Sequence, residues 1–344
     1  MKYNKIKEEL KNNPKTWLVT GCAGFIGSNL VETLLTLNQK VLGLDNFATG
    51  HQYNLDHIES SVSKEQWENF SFTKGDISDY ETCINATKGV DVVLNQAALG
   101  SVPRSIDNPV ISNNSNVTGF LNMITAAKEN GVKRFVYASS SSVYGDSAEL
   151  PKVESRTGNL LSPYAVTKYV NELYMGVFYK CYGFESIGLR YFNVFGKRQD
   201  PNGAYAAVMP KWISAMLNGE DVFINGDGET SRDFTYIDNV VQANIMAGVT
   251  TNKEAFAKAY NTAAGGRETL NNLYTAISNG LKEKLPELKV QEPIYRDFRA
   301  GDIRHSNANI DQAKELLGYE PTHNLEQGLK ESLEWYINDI KGSK

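Results

Sequence analysis

Cysteine is scarce in this chain: three residues among 344, Cys22, Cys83 and Cys181, scattered and without CxxC spacing. That excludes a disulfide framework and a cysteine-built metal site, and it points to a reducing compartment, the cytosol. The four histidines, His51, His57, His305 and His323, are dispersed and form no ligand cluster with cysteine, so no metal is expected. No stretch approaches the ~20 apolar residues that a bilayer span requires, so no membrane partner is expected. Met1 to Lys15 is polar and lacks the apolar core of a signal peptide. The triplets Asn113-Asn114-Ser115 and Asn116-Val117-Thr118 match the glycosylation pattern, which a cytosolic chain would not use. Neither charge sign dominates: 35 basic and 40 acidic residues leave a net −5. That excludes a nucleic-acid partner held by bulk electrostatics. It does not exclude an anionic substrate, because a few arginines in a cleft decide that locally.

What is present is organised. At 41% hydrophobic and 22% charged, the chain can fill one large domain or two closely joined ones. Thr16 to Thr20 is a short apolar run that leads into Gly21-Cys22-Ala23-Gly24-Phe25-Ile26-Gly27 and a helical pattern through Leu37. Glycines at these positions allow a tight turn and close approach of a pyrophosphate, which then sits at a helix N-terminus. The spacing is GxxGxxG rather than GxGxxG, and its weight comes from following a strand and opening a helix. A second apolar strand, Lys40 to Leu44, ends in Asp45, an acid placed to bond a ribose 2′-hydroxyl. Asn46-Phe47-Ala48-Thr49-Gly50 follows without an arginine, so NAD is favoured over its 2′-phosphorylated form.

Tyr164 and Lys168 lie one helical turn apart and can face one cavity. A phenol of ordinary pKa ~10 is a poor base at neutral pH, and an adjacent cation brings it within range. Upstream, Ser139 to Ser142 follow the apolar strand Arg134-Phe135-Val136-Tyr137 and can hold a substrate hydroxyl against that phenol. Without this context the pair would be an ordinary helix-surface contact.

Strands and helices alternate through about residue 196. Further strands are read at Phe70 to Asp76, Val90 to Ala98 and Glu185 to Asn193, and helices at Asn116 to Asn130 and Pro163 to Tyr182. This rhythm implies an α/β fold with a Rossmann-type, doubly wound parallel sheet and a site at the strands' carboxyl ends. Asp45, Asp76, Ala97, Ser140 and Asn193 all fall near such ends. Beyond Gly196 the rhythm breaks into Gly-, Asn- and Asp-rich loops and helices at Val208 to Leu217, Ile237 to Val249, Leu270 to Leu281 and Ile310 to Leu317. The expected division is 1–196 for the NAD-binding domain and 197–344 for a smaller mixed α/β lobe, partly interleaved with the first, that supplies substrate contacts.

The chain resembles an extended short-chain dehydrogenase/reductase, and within that group a UDP-hexose 4-epimerase, closest to those acting on UDP-N-acetylglucosamine. The resemblance runs from Thr16 to about Tyr336, through TGCAGFIGSNL, LDNFATG, GDISD, NQAALGSVPRS, ASSSSVYGD, SPYAVTKYVNE, LRYFNVFG, GDGETSRDFTYIDN and RAGDIRHSNA. It implies that Gly21, Gly24, Phe25, Ile26, Gly27, Asp45, Asn46, Thr49, Gly50, Asp76, Ile77, Gln96, Ala98, Tyr164, Lys168 and Tyr191 hold NAD. It implies that Tyr164, Lys168 and Ser140 carry the chemistry. Ser141 and Ser142 would orient the sugar with Ser140, and Gly100 and Ser101 would line its pocket. Asn193, Arg232, Arg299 and Asp302 would grip the UDP, and Phe223 to Asn225 would lie against the uracil. Arg232 and Arg299 read otherwise as partners of Asp233 and Asp297 in structural ion pairs.

Three features narrow the reaction. Ser142 and Val143, before Tyr144, stand where related dehydratases and decarboxylases carry an acid, so a 5,6-elimination would lack its acid. Ser306 takes the place of a bulky tyrosine found in epimerases restricted to unacetylated hexoses, and Ala207, beside Val208, enlarges the same region. The expected substrate is therefore a UDP-N-acetylhexosamine, although Ser306 also reads as a plain surface serine. The sugar's C6 stays open, since Arg104 or Arg304 could meet a uronic-acid carboxylate. A dehydrogenase that releases its cofactor each turn, or a non-catalytic nucleotide sensor, are the other readings. The resemblance also implies a homodimer through helices bearing Leu173, Tyr174, Val177 and Phe178, and Phe120, Ile124 and Ala127.

Overall fold

A computed structural model describes residues 2–202, 206–298 and 303–342. Its centre is a parallel sheet of β1 (Thr16–Thr20), β2 (Lys40–Asp45), β3 (Phe70–Lys74), β4 (Val92–Asn95), β5 (Arg134–Ser140), β6 (Ser186–Tyr191) and a seventh strand, Lys258–Thr262. In space they run β3-β2-β1-β4-β5-β6 and then the seventh. This is the doubly wound order, in which the chain reverses direction across the sheet between β1 and β4. Side chains of β1 alternate between two cores: Trp17 and Val19 join one, Leu18 the other. Both faces are buried, which is why these strands read as continuous apolar runs rather than alternating ones.

Register sets the site. Thr20 pairs with Leu44 of β2 and with Asn95 of β4, and Asn95 pairs with Tyr137 of β5. The carboxyl ends therefore finish level, and Gly21, Asp45, Gln96 and the serine run emerge on one edge. Helix Phe25–Thr36 leaves β1, and helix Pro163–Tyr182 joins β5 to β6. The latter is fixed at both ends: Ser162 Oγ accepts from Ala165 N at 3.1 Å, Pro163 takes the first turn, and Gly183 closes it in the left-handed conformation.

After β6 the sheet gives way to pairs of two- or three-residue strands. Val194–Phe195 pairs with Thr235–Tyr236, Phe223–Asn225 with Ile294–Arg296, and Ser231–Arg232 with Glu268–Thr269. Helices Val208–Asn218, Leu270–Lys284 and Leu325–Gly342 surround them. The chain returns to the sheet twice within this stretch: Lys258–Thr262 pairs with β6, and helix Ile237–Val249 joins the core that holds Trp17.

The structure settles two points that the sequence left open. Polar Lys2–Asn12 is a helix, anchored by the buried Leu10, whose carbonyl accepts from Gln39 Nε2 at 2.8 Å. Phe120, Ile124, Ala127 and Phe178 do not form a surface seam: all are buried in the second core, where Phe120 packs edge-on against Tyr137. Periodicity gives a helix an apolar face but not the element it meets. Leu173 and Val177 do remain outside, 54% and 51% exposed.

Candidate active site

The turn after β1 is built by backbone geometry. Gly21 sits at φ +68°, and a Cβ there would lie 2.9 Å from Ala97 N. A Cβ on Gly27 would lie 2.0 Å from the Gly21 carbonyl, so this third glycine lets the helix seat on the turn. Helix Phe25–Thr36 starts at Gly24 without a side-chain cap, leaving its first N–H groups directed at the cleft. Asp45 is buried, its Oδ2 accepting from Ala23 N at 2.9 Å and its Oδ1 from Phe47 N at 2.8 Å. Gly50 is packed so closely that a Cβ would come within 3.0 Å of Asp45 Oδ2.

Along the same edge, Asp76 accepts from Ser78 N and Asn46 Nδ2 at 2.8 and 2.7 Å. Burial pushes its pKa up, but these hydrogen bonds outweigh it and hold the carboxyl below its ordinary value. Tyr191 donates to Gln96 Oε1 at 2.9 Å, and Gln96 and Tyr191 both bond the buried Asn244. Burial raises the Tyr191 phenol far from any working range, so it is a donor and not a base.

Tyr164 and Lys168 stand opposite. Tyr164 and Ser140 border the cleft together, and Ser140 Oγ accepts from Ser142 N at 3.1 Å. Burial raises the Tyr164 pKa, and Ser140 works against that rise. Lys168 Nζ donates to the Ala138 carbonyl at 2.8 Å and lies 5.9 Å from the Tyr164 ring centroid. Burial lowers its pKa to about 8. Ser142 Oγ is buried without a partner and does not border the cleft.

These groups line one cleft of about 620 Å³. Gly21, Gly24, Phe25, Ile26, Gly27, Asp45, Asn46, Thr49, Asp76, Ile77, Gln96, Ala98, Gly100, Ser140, Tyr164, Lys168, Tyr191 and Asn193 all border it. Gly50 supports it from behind. Ser101 caps the short helix Val102–Asp107, accepting from Arg104 N at 3.2 Å. Ser141 and Ser142 lie in the 3-10 turn Ser141–Tyr144.

The remaining sites gather in the C-terminal lobe. Arg232 Nη1 donates to the Ser231 carbonyl at 2.9 Å, and Ser306 N donates to that same carbonyl at 3.0 Å, so residues 74 apart meet. Phe223 lies beneath the Arg296 guanidinium, 3.2 Å from its centroid, with Asn225 exposed at the strand end. Ala207 caps helix Val208–Asn218 and is exposed. Arg299 and Asp302 lie outside the described residues.

Asp233 accepts from three backbone donors: Ala264 N, Gly265 N and Ala308 N. Its burial pushes the carboxyl up to about 7 against those donors. Arg304 is exposed and pairs with Asp227 at 2.6 Å. Sequence reading missed Gln199, which reaches the cleft from a loop, and Asn116, whose side chain bonds Leu99 N, Leu99 O and Thr167 Oγ1. Asn116 sits in a π-helical turn, Asn114–Thr118, for which no propensity signal exists. Among the described residues one set, Asp238, His323 and Glu331, brings potential ligand atoms within 4.8 Å, and His323 Nε2 already meets Glu331 Oε1 at 3.0 Å.

The model of the NAD dependent epimerase/dehydratase family matches residues 17–263. The chain belongs to this family. Its cofactor is NAD, and the open helix start, the glycine turn that no Cβ could enter and the buried Asp45 fit that group. A putative UDP-glucose 4-epimerase of Methanocaldococcus jannaschii is 36% identical over 94% of this chain and 98% of its own. A UDP-glucuronate 4-epimerase of Thermodesulfobacterium geofontis is 32% identical, covering 94% and 97%. Among solved structures, a UDP-N-acetylglucosamine 4-epimerase from Methanobrevibacter ruminantium, in complex with UDP-N-acetylmuramic acid, is 38% identical with a TM-score of 0.85, covering 95% of this chain and 99% of that one. Among the described residues no helix is long and apolar enough to cross a membrane.

Proposed function

We propose that this protein is an NAD-dependent UDP-sugar 4-epimerase that interconverts UDP-N-acetylglucosamine and UDP-N-acetylgalactosamine. The observation that carries the reading is that Tyr164, Lys168 and Ser140 border the same cleft as the glycine turn, with Lys168 Nζ held 5.9 Å from the Tyr164 ring. Tyr164, as phenolate, takes the proton of the sugar's 4-hydroxyl, and Ser140 holds that hydroxyl in line. Lys168 supplies the positive charge that brings the phenol's pKa down from its raised value, and it bonds the nicotinamide ribose. Gly21, Asp45 and Lys168 would hold NAD, which would supply a hydride acceptor and donor for C4. Between the two transfers the 4-keto sugar must turn over while its nucleotide stays anchored. Asn193 and Arg232 serve that grip, Arg232 as a charge-assisted donor to the diphosphate. Ser306, beside Arg232, leaves room for a 2-acetamido group where a tyrosine would not. The serine run carries no acid, which disfavours dehydration.

A uronic-acid substrate is the second reading. It is supported by the glucuronate 4-epimerase relative and by Arg104, whose neighbour Ser105 accepts from Tyr164 N at 3.0 Å. Arg304, held by Asp227, is the weaker candidate for that carboxylate. Exposed Val166, Leu173 and Val177, with Ile106, Val110 and Ile111 alongside, support a homodimer through this face. Light scattering tests it: a mass of one chain would remove the dimer.

Purified protein incubated with UDP-N-acetylglucosamine and no added NAD, followed by anion-exchange separation, tests the main reading. A UDP-N-acetylgalactosamine peak that approaches the same ratio from either side is expected. Conversion of UDP-glucuronate alone would transfer the conclusion to the second reading.

A further inference from the structure

We infer that Glu172 is a positioning residue for this chemistry: it ties the helix that carries Tyr164 and Lys168 to the strand end that carries Ser140. The inference rests on the 4-epimerase reading above.

Glu172 lies one turn beyond Lys168 on helix Pro163–Tyr182 and does not border the cleft. Its carboxylate is enclosed, the residue being 9% exposed, and such burial is costly unless the charge is paired and hydrogen-bonded. Three donors meet it: Ser139 Oγ at 2.6 Å, Arg190 Nε at 2.9 Å and Arg190 Nη2 at 2.7 Å. Burial works against the charge on Arg190, but Glu172 outweighs it and holds the guanidinium's pKa above its ordinary value.

What this pair touches matters more than its own strength. Ser139 immediately precedes Ser140, and Ala138 before it supplies the carbonyl that holds Lys168. On its other side Arg190 Nη1 donates to Tyr144 OH at 3.0 Å, and Tyr144 closes the turn Ser141–Tyr144. One buried ion pair therefore grips the serine run at both ends, residues 139 and 144, with Ser140 to Ser142 between. Tyr144 passes the connection on to Asn261 Oδ1 at 2.6 Å, on the seventh strand. A hydrophobic substitute of equal volume would serve stability as well or better. It would not fix the helix and the serine turn in one register, and hydrogen-bonded proton transfer depends on that register to a fraction of an ångström.

Ser139→Ala is the decisive variant, because it removes only the Glu172 link and leaves the Glu172–Arg190 pair intact. Glu172→Gln removes the charge. Both are expected to lower kcat about tenfold with KM for the UDP-sugar within twofold. The double variant is expected to be no worse than Glu172→Gln alone. The acid limb of the kcat profile is expected to move to higher pH, because Ser140 loses its fixed place in the cleft that Tyr164 lines. Unchanged kcat and limb in Ser139→Ala, with only a lowered melting midpoint, would make the network structural and overturn the inference. Should Glu172→Gln not fold, Ser139→Ala still decides. For a readout free of turnover, phenolate absorbance of the NAD-loaded protein minus that of its Tyr164→Phe counterpart reports Tyr164 directly. An equal midpoint with and without Ser139 would overturn the inference. A wild type inactive on every UDP-hexose would remove the functional reading, while this titration would still decide the link.

Discussion

On the proposed reading, the sheet half and the C-terminal lobe would perform the two tasks of one reaction with opposite construction. In the first, each functional group follows directly from a strand end: Gly21 after β1, Asp45 closing β2, Gln96 after β4, Ser140 closing β5. The register of seven strands fixes their spacing. In the second, Arg232, Ser306 and Phe223 are held by strand pairs two or three residues long and by single backbone bonds such as Ser306 N to Ser231 O. Proton transfer at C4 tolerates little displacement, whereas a sugar that must turn over requires an anchor and a permissive surround. Regular structure sits where distance is critical, and irregular structure where room is.

That contrast can be broken most severely at Tyr164. Tyr164→Phe keeps the ring and removes the acid-base group, so epimerisation should fall about a thousandfold while NAD stays bound, measured by product separation and by nucleotide released on denaturation. A loss under tenfold would remove Tyr164 as the base. Next in size, Gly27→Ala places a Cβ 2.0 Å from a backbone oxygen, so the sheet half should pay in folding where the lobe would not. A destabilisation of about 3 kcal/mol and loss of retained NAD are expected in urea titration. A normal midpoint would mean that the helix can shift away from the turn.

The lobe is expected to yield more gently. Ser306→Tyr should lower kcat/KM for UDP-N-acetylglucosamine about thirtyfold while sparing UDP-glucose, turning a site of room into one of exclusion. Equal losses on both sugars would separate Ser306 from the acetamido group. The smallest effect concerns Lys168, whose pKa is near 8 in the fold against 10.5 ordinarily. Between those values the unfolded chain holds a proton that the fold has released, so stability rises with pH across that window and the buried charge is borne below it. In protein stripped of nucleotide, wild type should gain on Lys168→Met between pH 8 and 10 in urea midpoints. A constant difference would show that Lys168 titrates normally.

The sheet half was legible because its signals are local. Strand, glycine turn, helix and Asp45 fall within some thirty residues, and Tyr164 and Lys168 lie one turn apart. The helices Pro163–Tyr182 and Ile237–Val249 begin and end where the sequence places them. Packing partners were not legible. Apolar Phe120, Ile124 and Ala127 carry the same periodicity whether they face a second subunit or the sheet, and only the fold shows the sheet. Lys2–Asn12 presents only a three-residue apolar stripe, Tyr3, Ile6 and Leu10, of which Leu10 alone is fully buried. Glu172 and Arg190 stand 18 residues apart and meet only once the crossover brings helix and strand together, and Ser306 meets Ser231 only through the folding of the lobe.

The strand Lys258–Thr262 has a practical consequence. A chain cut after residue 196 would leave β6 as a bare edge, its unsatisfied N–H and C=O groups open to another molecule, and would strip helix Ile237–Val249 from Trp17. Exchanging sugar preference with a relative cannot therefore be done as a cassette with one junction. The graft needs at least two, on either side of the portion that returns to the sheet, and recombination that moves only one end would trade selectivity for aggregation.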